Sequence, residues 1–171
     1  DIMHDADQRL RVFVEKMNER DVDFVIQLGD FCRPDAYNDT FLNIWNSFQG
    51  PRYHVLGNHD MDGGYTREQT MAYWGMPKKY YSYELEGFHF IVLDGNDQTD
   101  PPQEGYAHFI GDAQKSWLKD DLSGNELPVV IFSHQSLHDV WSVENGDEIM
   151  ALLEDHNRLS DKGRVIACLN G

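Results

Sequence analysis

Three apolar runs in this chain each end in a residue type that binds metals or moves protons. Phe24-Val25-Ile26-Gln27-Leu28 runs into Gly29-Asp30, Tyr53-His54-Val55-Leu56 into Gly57-Asn58-His59-Asp60, and Val129-Val130-Ile131-Phe132 into Ser133-His134. Apolar runs of this length, bounded by turn residues, read as buried strands. A chain whose strands end in ligands gathers them at the carboxyl edge of an open α/β sheet. Asp30, Asn58 and His134 are therefore expected to close neighbouring strands of one sheet at the same edge. The second run is the densest, with an amide oxygen, an imidazole and a carboxylate on one short turn. Met61-Asp62-Gly63-Gly64 follows it as a loop.

The segments between these runs supply helices. Asp5 to Arg20 places Leu10, Val14 and Met17 at helical spacing. Asp39 or Thr40 suits the cap of a second helix with Phe41, Ile44, Trp45 and Phe48 on its apolar face. Strand, helix, strand in this order indicates a parallel βαβ unit. Thr66 to Trp74 reads as a short helix. Tyr80 to Leu85 and Phe88 to Leu93 form a hairpin about Glu86-Gly87. A helix over Gly111 to Leu122 would turn Ala113, Trp117 and Leu118 inward. Pro128 to Phe132 is a strand, Asp147 to His156 a helix, and Val165 to Leu169 the last strand. Repeats, low-complexity tracts and linkers are absent from the 171 residues, which read as one domain over 1–171.

Charge narrows the partners. With 30 acidic and 14 basic residues the net charge is −16, which argues against a broad nucleic-acid or anionic-membrane surface. A small phosphorylated substrate stays compatible, because bound divalent cations invert the local field. Cys32 and Cys168 form no C-x-x-C pair, so zinc-ribbon and redox motifs are absent. Nothing demands a disulfide between them. No apolar run reaches the roughly 18 residues of a membrane span. These features favour a soluble, cytoplasmic chain slightly. They leave the oligomeric state open.

Each candidate ligand has an ordinary alternative. Asp30 alone could be a turn or cap residue, Asn58 a turn residue after Gly57, and His59 or His134 a satisfied structural imidazole. The combination of Gly-Asp, Gly-Asn-His-Asp and Ser-His, in this order and each after an apolar run, is the specific signal. His54, His89 and His108 read as structural or exposed. Tyr65, Arg67, His138 and Trp141 are candidates for a substrate pocket, with ordinary loop packing as the alternative.

On these residues the chain resembles the calcineurin-like metallophosphoesterases over essentially its whole length. Gly29-Asp30 looks like the family's second block, Gly57-Asn58-His59-Asp60 its third and His134 its fourth. The resemblance implies a two-sheet α/β/β/α sandwich, incomplete at both ends, with two divalent metals at the strand ends. Asp30 would bridge the metals, and Asn58 and His134 would serve the second site. A hydroxide held between the metals would attack phosphorus in line. His59 would protonate the departing oxygen, giving hydrolysis of a monoester, diester or pyrophosphate. Mixed oxygen and nitrogen ligands suit Mn, Fe or Zn.

The pattern also departs from the family. Its opening Asp-x-His and closing Gly-His-x-His are not seen here. Asp1 and His4 have the wrong spacing, and read as displaced ligands or as cap and loop residues. Gly171 would be the first residue of the closing block. Arg33 stands where the family often has an Asp that orients the catalytic His. Asp35 or Asp60 is a candidate for that task, Asp60 alternatively for capping its turn. Arg33 is a candidate phosphate contact or a plain surface residue. The rival function is a non-catalytic scaffold or interaction domain that keeps the fold.

Overall fold

The computed structural model describes residues 5–102, 104–140 and 142–171. Helix α1 (Ala6–Glu19) leads to strand β1 (Val25–Gln27), helix α2 (Asp39–Asn46) and strand β2 (Arg52–His54). Helix α3 (Arg67–Trp74) precedes the hairpin β3 (Tyr81–Leu85) and β4 (Phe88–Val92). Helix α4 (Asp112–Ser123), strand β5 (Val129–Ser133), helix α5 (Gly146–Leu159) and strand β6 (Val165–Asn170) complete the order. Thr66 caps α3 with a reciprocal capping box to Gln69, and Gly75 ends it in the left-handed conformation.

The strands divide between two sheets. β1 and β2 pair in parallel, with Ile26 opposite Tyr53. The other sheet has the order β3-β4-β5-β6, antiparallel in the hairpin and parallel thereafter. Side-chain alternation with period two sorts each strand into two cores. Phe24, Ile26, Leu28 and Val55 face Phe90, Val92, Val130 and Phe132 across the space between the sheets. Val25 and Leu56 face the opposite way, onto Val14, Leu42, Trp45 and Trp74 of the first helical layer. Ile91, Leu93, Val129 and Ile131 face outward onto Leu118, Leu122, Ile149 and Leu153 of α4 and α5. The layers run α/β/β/α. Aromatic rings fill the inter-sheet space: Phe24 meets Phe90 edge-on at 5.1 Å, and Tyr83 stacks on Phe90 at 5.0 Å.

Two expectations are corrected here. The three strand ends do not belong to one sheet: β1 and β2 carry Asp30 and Asn58, whereas β5 carries His134. On α4 Leu118 is buried and Trp117 packs partly buried against the same core, as expected, but Ala113 is exposed, and Gln114 and Leu122 are buried as well. Gln114 is buried because its amide pairs with both backbone groups of Asp94 just past β4, at 2.9 and 2.8 Å, which extends the strand's hydrogen bonding. Both cysteines are free thiols. No helix among the described residues is long and apolar enough to cross a membrane.

Candidate metal centre

Glycines bring the strand ends together. Gly29 has φ 96° and Asp30 φ 52°, so the chain leaves β1 through two left-handed residues and swings the Asp30 carboxylate over the sheet edge. A Cβ on Gly29 would lie 2.3 Å from His134 Nδ1, and one on Gly57 would lie 2.1 Å from the Asp30 nitrogen. Only hydrogen fits at either place. Asp30, Asn58, His59 and His134 thus line one cavity of about 680 Å³. Tyr106, Gln135, Ser136 and Asn170 also border it, and among its described lining residues none is Lys or Arg.

His134 has a defined proton arrangement. Its Nδ1–H donates to the Leu28 carbonyl at 2.8 Å, which leaves Nε2 facing Asp30 Oδ1 at 3.4 Å. An imidazole anchored through one nitrogen to a carbonyl presents the other as a ligand. The Asp30 carboxyl is below its usual range. Burial raises it, but the His134 contact and the His59 amide together more than offset that. His134 moves up from 6.5: burial lowers it, and Asp30 and the Leu28 carbonyl outweigh the burial. Carboxylate and imidazole thus stabilise each other's charged forms, and a metal at Nε2 would have to displace a proton there. Carboxylate, amide oxygen and imidazole around a glycine-lined edge are a donor set that fits a divalent transition metal. Among the described residues no group of three His, Cys, Asp or Glu side chains is arranged to hold a metal.

Asp60 is buried, with 1% exposure. Its Oδ2 accepts from the amides of Gly57 at 2.8 Å and Asp30 at 3.0 Å, so one carboxylate staples the two loops. Burial pushes its carboxyl up to about 7, with the amide of Gly57 pulling down and the Asp30 charge pushing further up. The His59 ring is touched by a different residue. Its Nδ1 lies 2.8 Å from Asp62 Oδ2 and 3.1 Å from the Tyr106 hydroxyl, while its backbone N–H donates to Asp30 Oδ1 at 3.0 Å. Asp35 is engaged elsewhere: it caps the amide of Tyr37 and accepts from Tyr65.

The remaining pocket candidates scatter. Arg67 turns away from the cavity to pair with the fully buried Asp94 at 3.3 Å and with Asp97 at 3.1 Å. Tyr65 reaches Asp35. His138 is largely exposed, 4.0 Å from Asp147. The Arg33 guanidinium lies by the turn, with its Nη1 3.6 Å from where a Gly63 Cβ would stand. Asp1, His4 and Trp141 lie outside the described residues. Asp62 and Tyr106 were missed. Asp62 had a usable signal, because residues three apart eclipse in a 3₁₀ turn and His59–Met61 forms one. Tyr106 had none, being 47 residues from His59.

A family model described as calcineurin-like phosphoesterase matches residues 3–168. Among solved structures, a dimetal phosphatase from Danio rerio, LOC 393393, shares 18% identity and a TM-score of 0.72, over 88% of this chain and 68% of that one. GAP50 of Plasmodium, described as the anchor in the inner membrane complex, shares 15% identity and a TM-score of 0.61. That alignment covers 90% of this chain and 59% of GAP50. At these identities the likeness is one of fold. No curated protein matches the chain.

Proposed function

The chain belongs to the calcineurin-like phosphoesterase family, and from that premise we propose that it carries the central part of a metal-dependent phosphoesterase site. The observation that supports this most is the convergence at Asp30. Its Oδ1 faces His134 Nε2 at 3.4 Å from the other sheet and accepts the His59 amide at 3.0 Å, with Asn58 on the same cavity wall. Asp30, Asn58 and His134 would hold divalent cations, with Mn, Fe or Zn suited to the mixed donors. When bound, these would supply Lewis acidity to the attacking water and to the phosphoryl oxygens. The described lining offers no Lys or Arg to neutralise a phosphate, which leaves that task to cations.

His59 is the proton donor to the leaving oxygen. It is half exposed toward the cavity and within reach of an ester placed beside Asp30. The substrate class is a small phosphorylated molecule: monoester, diester or pyrophosphate. Asp30, Asn58 and His134 are fewer ligands than a two-metal site uses, so we propose that the 171 residues alone turn over little substrate. The scaffold reading draws on GAP50, described as an anchor on a similar fold. Chemically equipped strand ends favour the enzyme.

The test is metal content and aryl phosphoester hydrolysis in the full-length protein, with Asp30→Ala and His59→Asn alongside. Asp30→Ala should lose metal and turnover together. His59→Asn should keep its metal and lose turnover by about 10²-fold or more on poor leaving groups. Full metal content and activity in Asp30→Ala would overturn the proposal.

A further inference from the structure

We propose that Asp62 and Tyr106 are the positioning residues of His59, doing the work that Arg33 in the family's Asp slot cannot do. The inference rests on the reading of His59 as proton donor, and it stands on the geometry of one turn. His59–Met61 is a single 3₁₀ turn closed by the Asp62 amide donating to the His59 carbonyl at 3.1 Å. In such a turn residue i+3 lies directly over residue i. The Asp62 carboxylate is therefore delivered to the His59 ring by local backbone geometry. Gly63 and Gly64 then exit at φ 84° and 87°, in the left-handed region that favours glycine.

The hydrogen bonds have one consistent assignment. The Tyr106 hydroxyl has a single proton and donates it to Asp62 Oδ1 at 2.9 Å. His59 Nδ1 faces Asp62 Oδ2 at 2.8 Å and the Tyr106 oxygen at 3.1 Å, both acceptors, so Nδ1 carries a proton. Nε2 is the nitrogen left for the substrate. The Tyr106 ring lies 4.6 Å from the imidazole at 56°, which restricts rotation about the ring's bond to the chain. The main-chain bond from His59 to Asp30 fixes the other end of the residue. Arg33, beside Gly63, adds its charge on the Asp62 side of the turn. A cation in that slot would repel a protonated imidazole if it touched it directly. With Asp62 between them it supports the carboxylate.

The test uses Asp62→Ala, Asp62→Asn, Tyr106→Phe, His59→Asn and the Asp62→Ala/His59→Asn pair in the full-length, metal-loaded protein. Substrates are 4-nitrophenyl and phenyl phosphoesters. Asp62→Ala should lower kcat on the phenyl ester by on the order of 10²-fold, with KM and metal content unchanged and the 4-nitrophenyl ester much less affected. Tyr106→Phe should cost less, in the same pattern. The pair should be no slower than His59→Asn alone, since both changes remove one function. An independent readout is the ¹⁵N spectrum of the His59 ring in metal-free protein. Wild type should show a protonated Nδ1, and Asp62→Ala a mixture of tautomers. An unchanged His59 spectrum in Asp62→Ala, or multiplicative losses in the pair, would overturn the positioning role. If His59→Asn affects both esters equally, the proton-donor reading fails instead, and the ring spectrum alone then decides whether Asp62 orients it.

Discussion

His54 closes strand β2 four residues ahead of Asn58, and acid should unfold the protein through it. The ring is 5% exposed. The Trp45 indole N–H points at Nε2 from 3.3 Å and the Gln27 amide nitrogen at Nδ1 from 3.1 Å. The Gln27 amide cannot turn over, because its oxygen accepts from the Gly29 amide and its nitrogen donates to the Val55 carbonyl. Both ring nitrogens thus face donors: the neutral ring accepts from one of them and already sets its own N–H against the other, and a second ring proton would have no acceptor either. Burial, with the Arg52 charge, pulls the group from 6.5 down to about 4. The sign follows from proton counting. Between these values the unfolded chain binds the proton and the folded one does not, so the contribution is present above pH 6.5 and is lost as pH falls toward 4. Linkage gives a loss of about 2 kcal/mol by pH 5 and about 3 kcal/mol by pH 4. The assay is urea unfolding of metal-free protein at pH 7.5 and 5, followed by tryptophan fluorescence, for wild type and His54→Phe. The variant should be less stable at pH 7.5, because one buried donor loses the imidazole nitrogen that accepts from it, but should lose about 2 kcal/mol less than wild type on acidification. Equal acid losses in the two proteins would refute the reasoning.

Further outcomes follow from other contacts. Gly57→Ala forces a methyl onto the Asp30 backbone and should destabilise the fold by about 1–3 kcal/mol or more while abolishing metal uptake, read by thermal melting and metal analysis. Arg67→Met leaves the carboxylate of Asp94, fully buried, without its guanidinium and should cost about 3–5 kcal/mol in urea unfolding. Cys32, its thiol pushed up to about 12 by burial, should react with an aromatic disulfide reagent at pH 8 more slowly than the exposed Cys168.

Much of this arrangement could be read along the chain because it is periodic. Phe24, Ile26 and Leu28 alternate with Val25 and Gln27, and that alternation became the two faces of β1. The strand-end residues Asp30, Asn58 and His134 were visible for the same reason, since each follows an apolar run. Which sheet a strand joins is a property of its partner, not of its own period, and the division between β2 and β5 was illegible. Gln114 went inward against its polarity because a strand end needed an amide, a demand arising 20 residues away. Asp62 could be found from spacing once the turn type was known, whereas Tyr106 arrives by a long loop. Buried polar groups such as Asp60 follow from backbone donors that no local pattern announces.

Because Asp30 and Asn58 ride on one sheet and His134 on the other, their separation is a thickness. It is set by the rings of Phe24, Tyr83, Phe90 and Phe132 between the layers. Cations differ in preferred bond length by tenths of an ångström, a change that a small repacking of that stack is enough to produce. If Asp30, Asn58 and His134 hold a cation as proposed, a selection for altered metal preference should therefore enrich substitutions among these aromatic residues, acting as shims beneath the site.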